Sequence, residues 1–250
     1  MAYLVPDRIY TANGVTVKEY FLTKHNPNNI ALPGKRILQF GGYTVHNTDP
    51  IKVSSKTTMA EQYTRATYNG NMGDVRVQFY VDDVEAWQAL PLDLQSWHAG
   101  SKRNGKGEPE ANGSHIGNQA TVSIEVIGNS AKAEDNAARL IAYLMNLSGT
   151  GTDKLYTHNY WVNVRRGRTG TLDELNKNPD GYKGCPAYIR PHWDSFKAQV
   201  EKYLDFKEEA EEDVMYRIQL GAFRNKRNAE SYLKSVQKYF PSAFITETEV

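Results

Sequence analysis

Two periodicities divide the chain. Around residue 124 apolar positions alternate, with Val122, Ile124 and Val126 on one side and Ser123, Glu125 and Ile127 on the other, as in a strand. Further on, Ala137, Leu140, Ile141, Leu144 and Met145 recur at helical spacing. They predict a helix over 134–147 that stops before Gly149 and Gly151. The same reading predicts a first clear strand over 36–48. There an apolar run, Ile37-Leu38-Gln39-Phe40, passes through Gly41-Gly42 into Tyr43-Thr44-Val45-His46-Asn47-Thr48. Thr57 or Thr58 caps a helix over 59–68, and Gly70 and Gly73 break it. The alternating run 75–81 reads as a strand, turned by Asp82-Asp83 into a short one over 85–89. A helix over 191–206 carries Trp193, Phe196, Val200 and Leu204 on one stripe. Residues 1–34 read as an irregular wrap with room for one short element, 101–119 as a polar loop, and 162–184 as a long basic, then polar, excursion. Strands alternating with helices predict an α/β or α+β layer architecture.

The pattern changes after residue 204. Five acids against one base between Lys207 and Asp213 mark a linker, 205–213. Beyond it, Tyr216, Ile218 and Leu220 alternate with Arg217 and Gln219, and Ala229, Leu233, Val236 and Phe240 keep helical spacing. Residues 243–246 read as a second strand. The expected organisation is therefore a main domain over 1–204, the linker, and a small βαβ module over 214–250.

Charge and composition narrow the functional classes. A net charge of +1 gives no reason to expect nucleic acid or a charged membrane as partner. No stretch has the apolar length of a membrane span. The first residues lack a basic start and an apolar core, so the expectation is synthesis in a cytosol without a signal peptide. One cysteine excludes an intrachain disulfide.

That cysteine matters more for chemistry. His46 ends a strand, His158 follows Tyr156-Thr157, and Cys185 stands in Lys183-Gly184-Cys185-Pro186. Two imidazoles and a thiolate around zinc leave one position open for water, the arrangement of a catalytic site. Amide hydrolysis there also needs a base and an oxyanion donor. Glu125, at mid-strand in an apolar context, is the best base, and Lys183, two residues before the cysteine, the best donor. The same residues read equally as a satisfied strand histidine, a salt-bridged glutamate and a packed thiol.

Five motifs in order break that tie: Thr44-Val45-His46-Asn47-Thr48, Trp97-His98-Ala99-Gly100, Val122-Ser123-Ile124-Glu125-Val126, Tyr156-Thr157-His158 and Lys183-Gly184-Cys185-Pro186. Over about 36–204 the chain resembles the zinc-dependent N-acetylmuramoyl-L-alanine amidases, the peptidoglycan-recognition-like family of phage endolysins and bacterial autolysins. The resemblance implies a central mixed β-sheet flanked by helices. It implies Zn2+ held by His46, His158 and Cys185, Glu125 as acid/base and Lys183 on the oxyanion, with Trp97 and His98 lining a substrate groove. The expected substrate is bacterial peptidoglycan, cut between muramic acid and the first L-alanine of the stem. Release at lysis, as for an endolysin, fits the cytosolic start. Two features depart from the family. Gln78 stands where a histidine is frequent, with Val77 where some phage members have tyrosine, and the connection from His158 to Cys185 is unusually long. A binding protein without catalysis, or a zinc peptidase acting within the stem, are the alternatives.

The tail, from Tyr216 through Phe223 and on to Asn228-Ala229-Glu230, resembles the first half of a SPOR repeat, a family that binds peptidoglycan glycan strands. The resemblance implies glycan contacts at Arg217 and Gln219. A βαβ unit this short rarely folds alone, so residues 214–250 are expected to make a homodimer or higher oligomer. Met215 marks a possible internal start.

Overall fold

The structure is a computed structural model that describes residues 4–99, 116–179, 184–204, 223–237 and 245. The chain separates into two compact units, Met1–Glu208 and Glu209–Val250.

In the first unit, β1 (Arg8–Ala12) and β2 (Val15–Glu19) form an antiparallel hairpin. Asn13 and Gly14 both have positive φ, the two-residue turn that an Asn-Gly pair favours between twisted strands. The wrap expected over 1–34 therefore contains a hairpin, and Asn13-Gly14 is its sequence signal. Next come β3 (Gly42–Thr48), α1 (Met59–Tyr68), β4 (Phe79–Val81) and β5 (Ala86–Gln88). They are followed by α2 (Ile116–Ala120), β6 (Thr121–Ile127), α3 (Ala131–Ser148), β7 (Leu155–Thr157), α4 (His158–Arg165), α5 (Leu172–Lys177) and α6 (Trp193–Leu204). The seven strands make one mixed sheet in the order β1-β2-β5-β4-β6-β3-β7. Strands β4, β6, β3 and β7 run parallel. This is the α/β architecture that the sequence predicts, with the mixed sheet flanked by helices that the resemblance implies.

Alternation sorts the side chains of the sheet. Tyr43, Val45, Val122, Ile124 and Val126 are buried against Leu140, Ile141 and Leu144 of α3 and Trp193, Phe196 and Val200 of α6. Each such side chain contributes about 1.5–3 kcal/mol by leaving water. On the other face, α1 packs over β4 and β5, where Ala60 joins Tyr80 and Trp87. Helix α4 packs over β3 and β7, and its Trp161 indole N–H donates to Thr44 Oγ1 at 2.8 Å.

Several elements differ from expectation for local reasons. The strand predicted over 36–48 starts only at Gly42, and Leu38 is 95% exposed. Gly42 has φ 130°, and a Cβ there would stand 2.2 Å from the Lys154 carbonyl oxygen, so only glycine lets the chain enter the sheet at this point. The strand predicted over 75–81 shortens to Phe79–Val81 because side chains replace ladder bonds. Gln78 N donates to Ser123 Oγ at 3.0 Å, and Ser123 N donates to Gln78 Oε1 at 2.9 Å. The excursion over 162–184 is partly helical, with the end of α4 and all of α5 inside it. On α6, Tyr203 rather than Leu204 is fully buried.

In the second unit, α7 (Lys226–Val236) overlaps the segment with helical spacing and begins before it, and Asn225 caps it through the Arg227 and Asn228 amides. The two predicted tail strands, apart from Ile245, lie outside the described residues, as do Arg217 and Gln219.

Candidate metal centre

Three adjacent parallel strands deliver most of the site. In the β3–β6 pairing His46 stands opposite Glu125, so both side chains leave the same face, away from the α3 core. Strand β7 pairs with β3 at Val45↔Thr157, which places His158, the first residue of α4, beside His46. Their ring centroids are 4.8 Å apart. Cys185 completes the group, its Sγ 3.7 Å from His46 Nδ1. The ligand atoms of His46, His158 and Cys185 all lie within 4.8 Å of one another. Tetrahedral zinc bonds of about 2.0–2.3 Å set donor atoms roughly 3.3–3.8 Å apart, so the His-His-Cys set fits such an ion with a small inward shift. His46 and His158 are 4% and 6% exposed, whereas Cys185 is half-buried, so the cluster is more open on the cysteine side.

No strand carries Cys185; the segment from 166 to 192 does, and asparagines fasten it. Asn176 is fully buried and its amide grips β7: Oδ1 accepts from Thr157 N at 2.7 Å, and Nδ2 donates to Leu155 O at 3.1 Å. Asn159 Nδ2 donates to the carbonyls of Leu175, Asn176 and Asn178, and Asn163 Nδ2 to those of Leu175 and Asn178. The Asn159 amide then donates to the Cys185 carbonyl at 2.8 Å, which ties the cysteine to the first turn of α4. Past the cysteine, the Arg190 guanidinium holds the carbonyls of Gly184 and Lys177, and Tyr188 N donates to Asn47 Oδ1. Sequence reading did not single out these asparagines. The available signal was Asn159 directly after His158.

His98 lies behind His46, buried. Its Nδ1 is 2.8 Å from His46 Nε2, and its Nε2 is 3.2 Å from the Gly117 carbonyl oxygen. Burial depresses its pKa to about 3, with nearby Arg165 adding to the effect, so the ring is neutral. Asn118 Oδ1 accepts from the amides of both His98 and Ala99. Trp97 is half-buried and bridges to Arg76 through its backbone. Glu125 is half-buried and has Tyr80 opposite it on β4. Burial and then the Glu125 charge push the Tyr80 hydroxyl pKa up, and that hydroxyl bonds Thr67 Oγ1 at 2.7 Å. Gln78 is spent on Ser123 and the Leu94 carbonyl, and Val77 is buried in the core under α1. Of the remaining histidines, His192 meets Glu134 at 2.9 Å, and His25 stacks on Tyr20. Lys183 lies outside the described residues, as does His115.

Residues 39–174 match the family model described as N-acetylmuramoyl-L-alanine amidase. Residues 214–250 match the SPOR domain. The first match includes His46, Glu125 and His158 and stops short of Cys185. Among curated proteins the chain is similar to N-acetylmuramoyl-L-alanine amidase XlyA of Bacillus subtilis, at 31% identity over 63% of this chain and 43% of that protein. It is also similar to N-acetylmuramoyl-L-alanine amidase CwlH of Bacillus subtilis, at 29% identity over 73% of this chain and 60% of that protein. The chain thus spans about half the length of these relatives. Among solved structures, the catalytic domain of XlyA superposes with a TM-score of 0.54 at 28% identity, covering 74% of this chain and 99% of that one.

Proposed function

The chain belongs to the N-acetylmuramoyl-L-alanine amidase family, and on that basis we propose that it hydrolyses the amide between the lactyl group of muramic acid and the first L-alanine of the peptidoglycan stem. The observation that carries this reading is the convergence of His46, His158 and Cys185 beside Glu125. In the proposal these three residues hold Zn2+. A zinc ion there supplies Lewis acidity to water and to the scissile carbonyl. Glu125 takes a proton from the water as its oxygen bonds to the carbonyl carbon. Lys183 donates to the oxyanion, a role that rests on its place two residues before Cys185. As the C–N bond breaks, Glu125 returns the proton to the leaving L-alanine amine. Trp97 is assigned to the substrate groove. His98 is assigned to the same groove.

We divide the chain into a catalytic domain over 1–204, a linker over 205–213 and a wall-binding module over 214–250. The SPOR match supports the last assignment. Arg217 and Gln219 are its proposed glycan contacts, and pairing of two such modules is the proposed route to a homodimer. Light scattering of the full chain and of a chain ending at Asp205 tests the dimer, and a monomeric full chain at micromolar concentration refutes it.

The activity is tested by mass spectrometry of digested cell wall with and without a chelator. Stem peptides starting at L-alanine, appearing only without chelator, are the expected result. Products opened within the stem would instead make the protein a peptidase.

A further inference from the structure

We propose that His98 is a positioning residue that fixes the tautomer of His46, turning the lone pair of His46 Nδ1 toward the metal position beside Cys185. The inference rests on the metal-site reading above.

It follows from donors and acceptors along one buried chain of polar atoms. A backbone carbonyl only accepts, so the His98 Nε2 that faces Gly117 O at 3.2 Å carries the proton. Thr121 Oγ1, 3.4 Å from the same nitrogen, does not compete as a donor, because its hydroxyl donates to that carbonyl at 2.6 Å. With its proton on Nε2, and with no carboxylate among its contacts in the described residues to hold a second proton, the buried His98 ring presents a lone pair at Nδ1. The atom it meets, at 2.8 Å, is His46 Nε2, which must therefore be the N–H. A neutral His46 with its proton on Nε2 has its lone pair on Nδ1, the atom 3.7 Å from Cys185 Sγ. Every direction is set from the far end, by a carbonyl that cannot donate.

The far end is also fixed in space. A Cβ on Gly117 would stand 2.6 Å from the Ala99 side chain, so the carbonyl sits where only glycine allows it. Asn118 Oδ1 accepts from the two amides of the His98 segment and holds it level with that carbonyl. A metal-binding imidazole needs one bare nitrogen and a partner for the other, and outer partners of this kind are worth about 10–100-fold in metal affinity. In this chain the partner is a neutral imidazole, so the orientation is imposed without adding an anion beside Cys185.

The test uses the full chain with zinc as probe. Zinc affinity is measured by competition with a chromophoric chelator, and ring-nitrogen NMR of the metal-free protein reads the His46 tautomer. Expected are a wild-type His46 with its proton on Nε2, a mixed population in His98→Leu, and an affinity loss of about 10–100-fold in that variant. His98→Gln, which keeps an acceptor, should recover most of the affinity. Unchanged zinc affinity in a folded His98→Leu overturns the proposal, and so does a wild-type His46 with its proton on Nδ1. If His98→Leu does not fold, the wild-type tautomer decides alone. Failure of the wild-type chain to bind zinc would sink the metal reading instead, and the metal-free tautomer would still decide the proposal.

Discussion

The two halves of the candidate site are held by different means. His46 and Glu125 stand on neighbouring parallel strands, where register sets their separation and alternation sets their face. Cys185 stands on the segment from 166 to 192, held by side-chain amides and the Arg190 guanidinium, which grip backbone carbonyls. A ladder is redundant, because each residue shares its position with its neighbours. Asn159, Asn163 and Asn176 tie the arm down together with Arg190, and each asparagine is a point where it can be loosened without breaking a ladder bond.

The largest expected effect treats both halves alike. His46→Ala, His158→Ala and Cys185→Ser should each lose both zinc and hydrolysis, because a three-ligand site rarely survives on two. Metal content by mass spectrometry, with a wall-release assay, measures it. Full activity in Cys185→Ser would remove the arm from the site altogether.

Next come substitutions that separate chemistry from metal. Glu125→Ala should retain zinc and lose about a hundredfold in kcat. Lys183→Ala should lose roughly 3 kcal/mol of transition-state stabilisation, again with zinc in place. Near-normal kcat in Glu125→Ala would move the base off β6.

A smaller effect sharpens the contrast between ladder and arm. Asn176→Ala leaves the buried Thr157 N–H and Leu155 carbonyl without their partner, at a cost of about 1–3 kcal/mol for each unsatisfied group. Hydrogen exchange should quicken over residues 166–179 while the amides of β3 and β6 stay protected. Equal loosening of both regions would mean that they open as one unit.

The smallest effect lies away from the cluster, where α3 meets α6. Burial raises the Asp135 pKa, but the Tyr203 hydroxyl and Arg139 outweigh it and hold the carboxyl below its ordinary value. A depressed folded pKa contributes stability above the unfolded value and loses it as pH falls through the folded one. Asp135→Asn should therefore flatten the acid side of the stability profile below about pH 4 and leave hydrolysis at neutral pH unchanged. An unaltered acid profile would count against this contact.

The sequence made the ladder half of this molecule legible because period reports face. Val122, Ile124 and Val126 declared the core side of β6, and so placed Glu125 on the other. The helix over 134–147 was visible for the same reason, down to the stop at Gly149. The arm was not legible, because its bonds run from side chains to carbonyls and leave no period. Asn159, Asn163 and Asn176 look like ordinary loop residues in the string. The strand predicted over 75–81 ran too long for a related reason: Gln78 and Ser123 exchange side-chain bonds where backbone pairing was expected. The hairpin at Asn13-Gly14 carried a signal strong enough to find, hidden by the polar residues around it.

Asn176 has a second consequence. Strand β7 ends the sheet, and its outward backbone groups would otherwise be open to pairing with a strand of another molecule. The Asn176 side chain accepts from Thr157 N and donates to Leu155 O, as one peptide unit of an eighth strand would. A single amide thus occupies the margin of the sheet beside the His-His-Cys cluster, with no strand spent on the task.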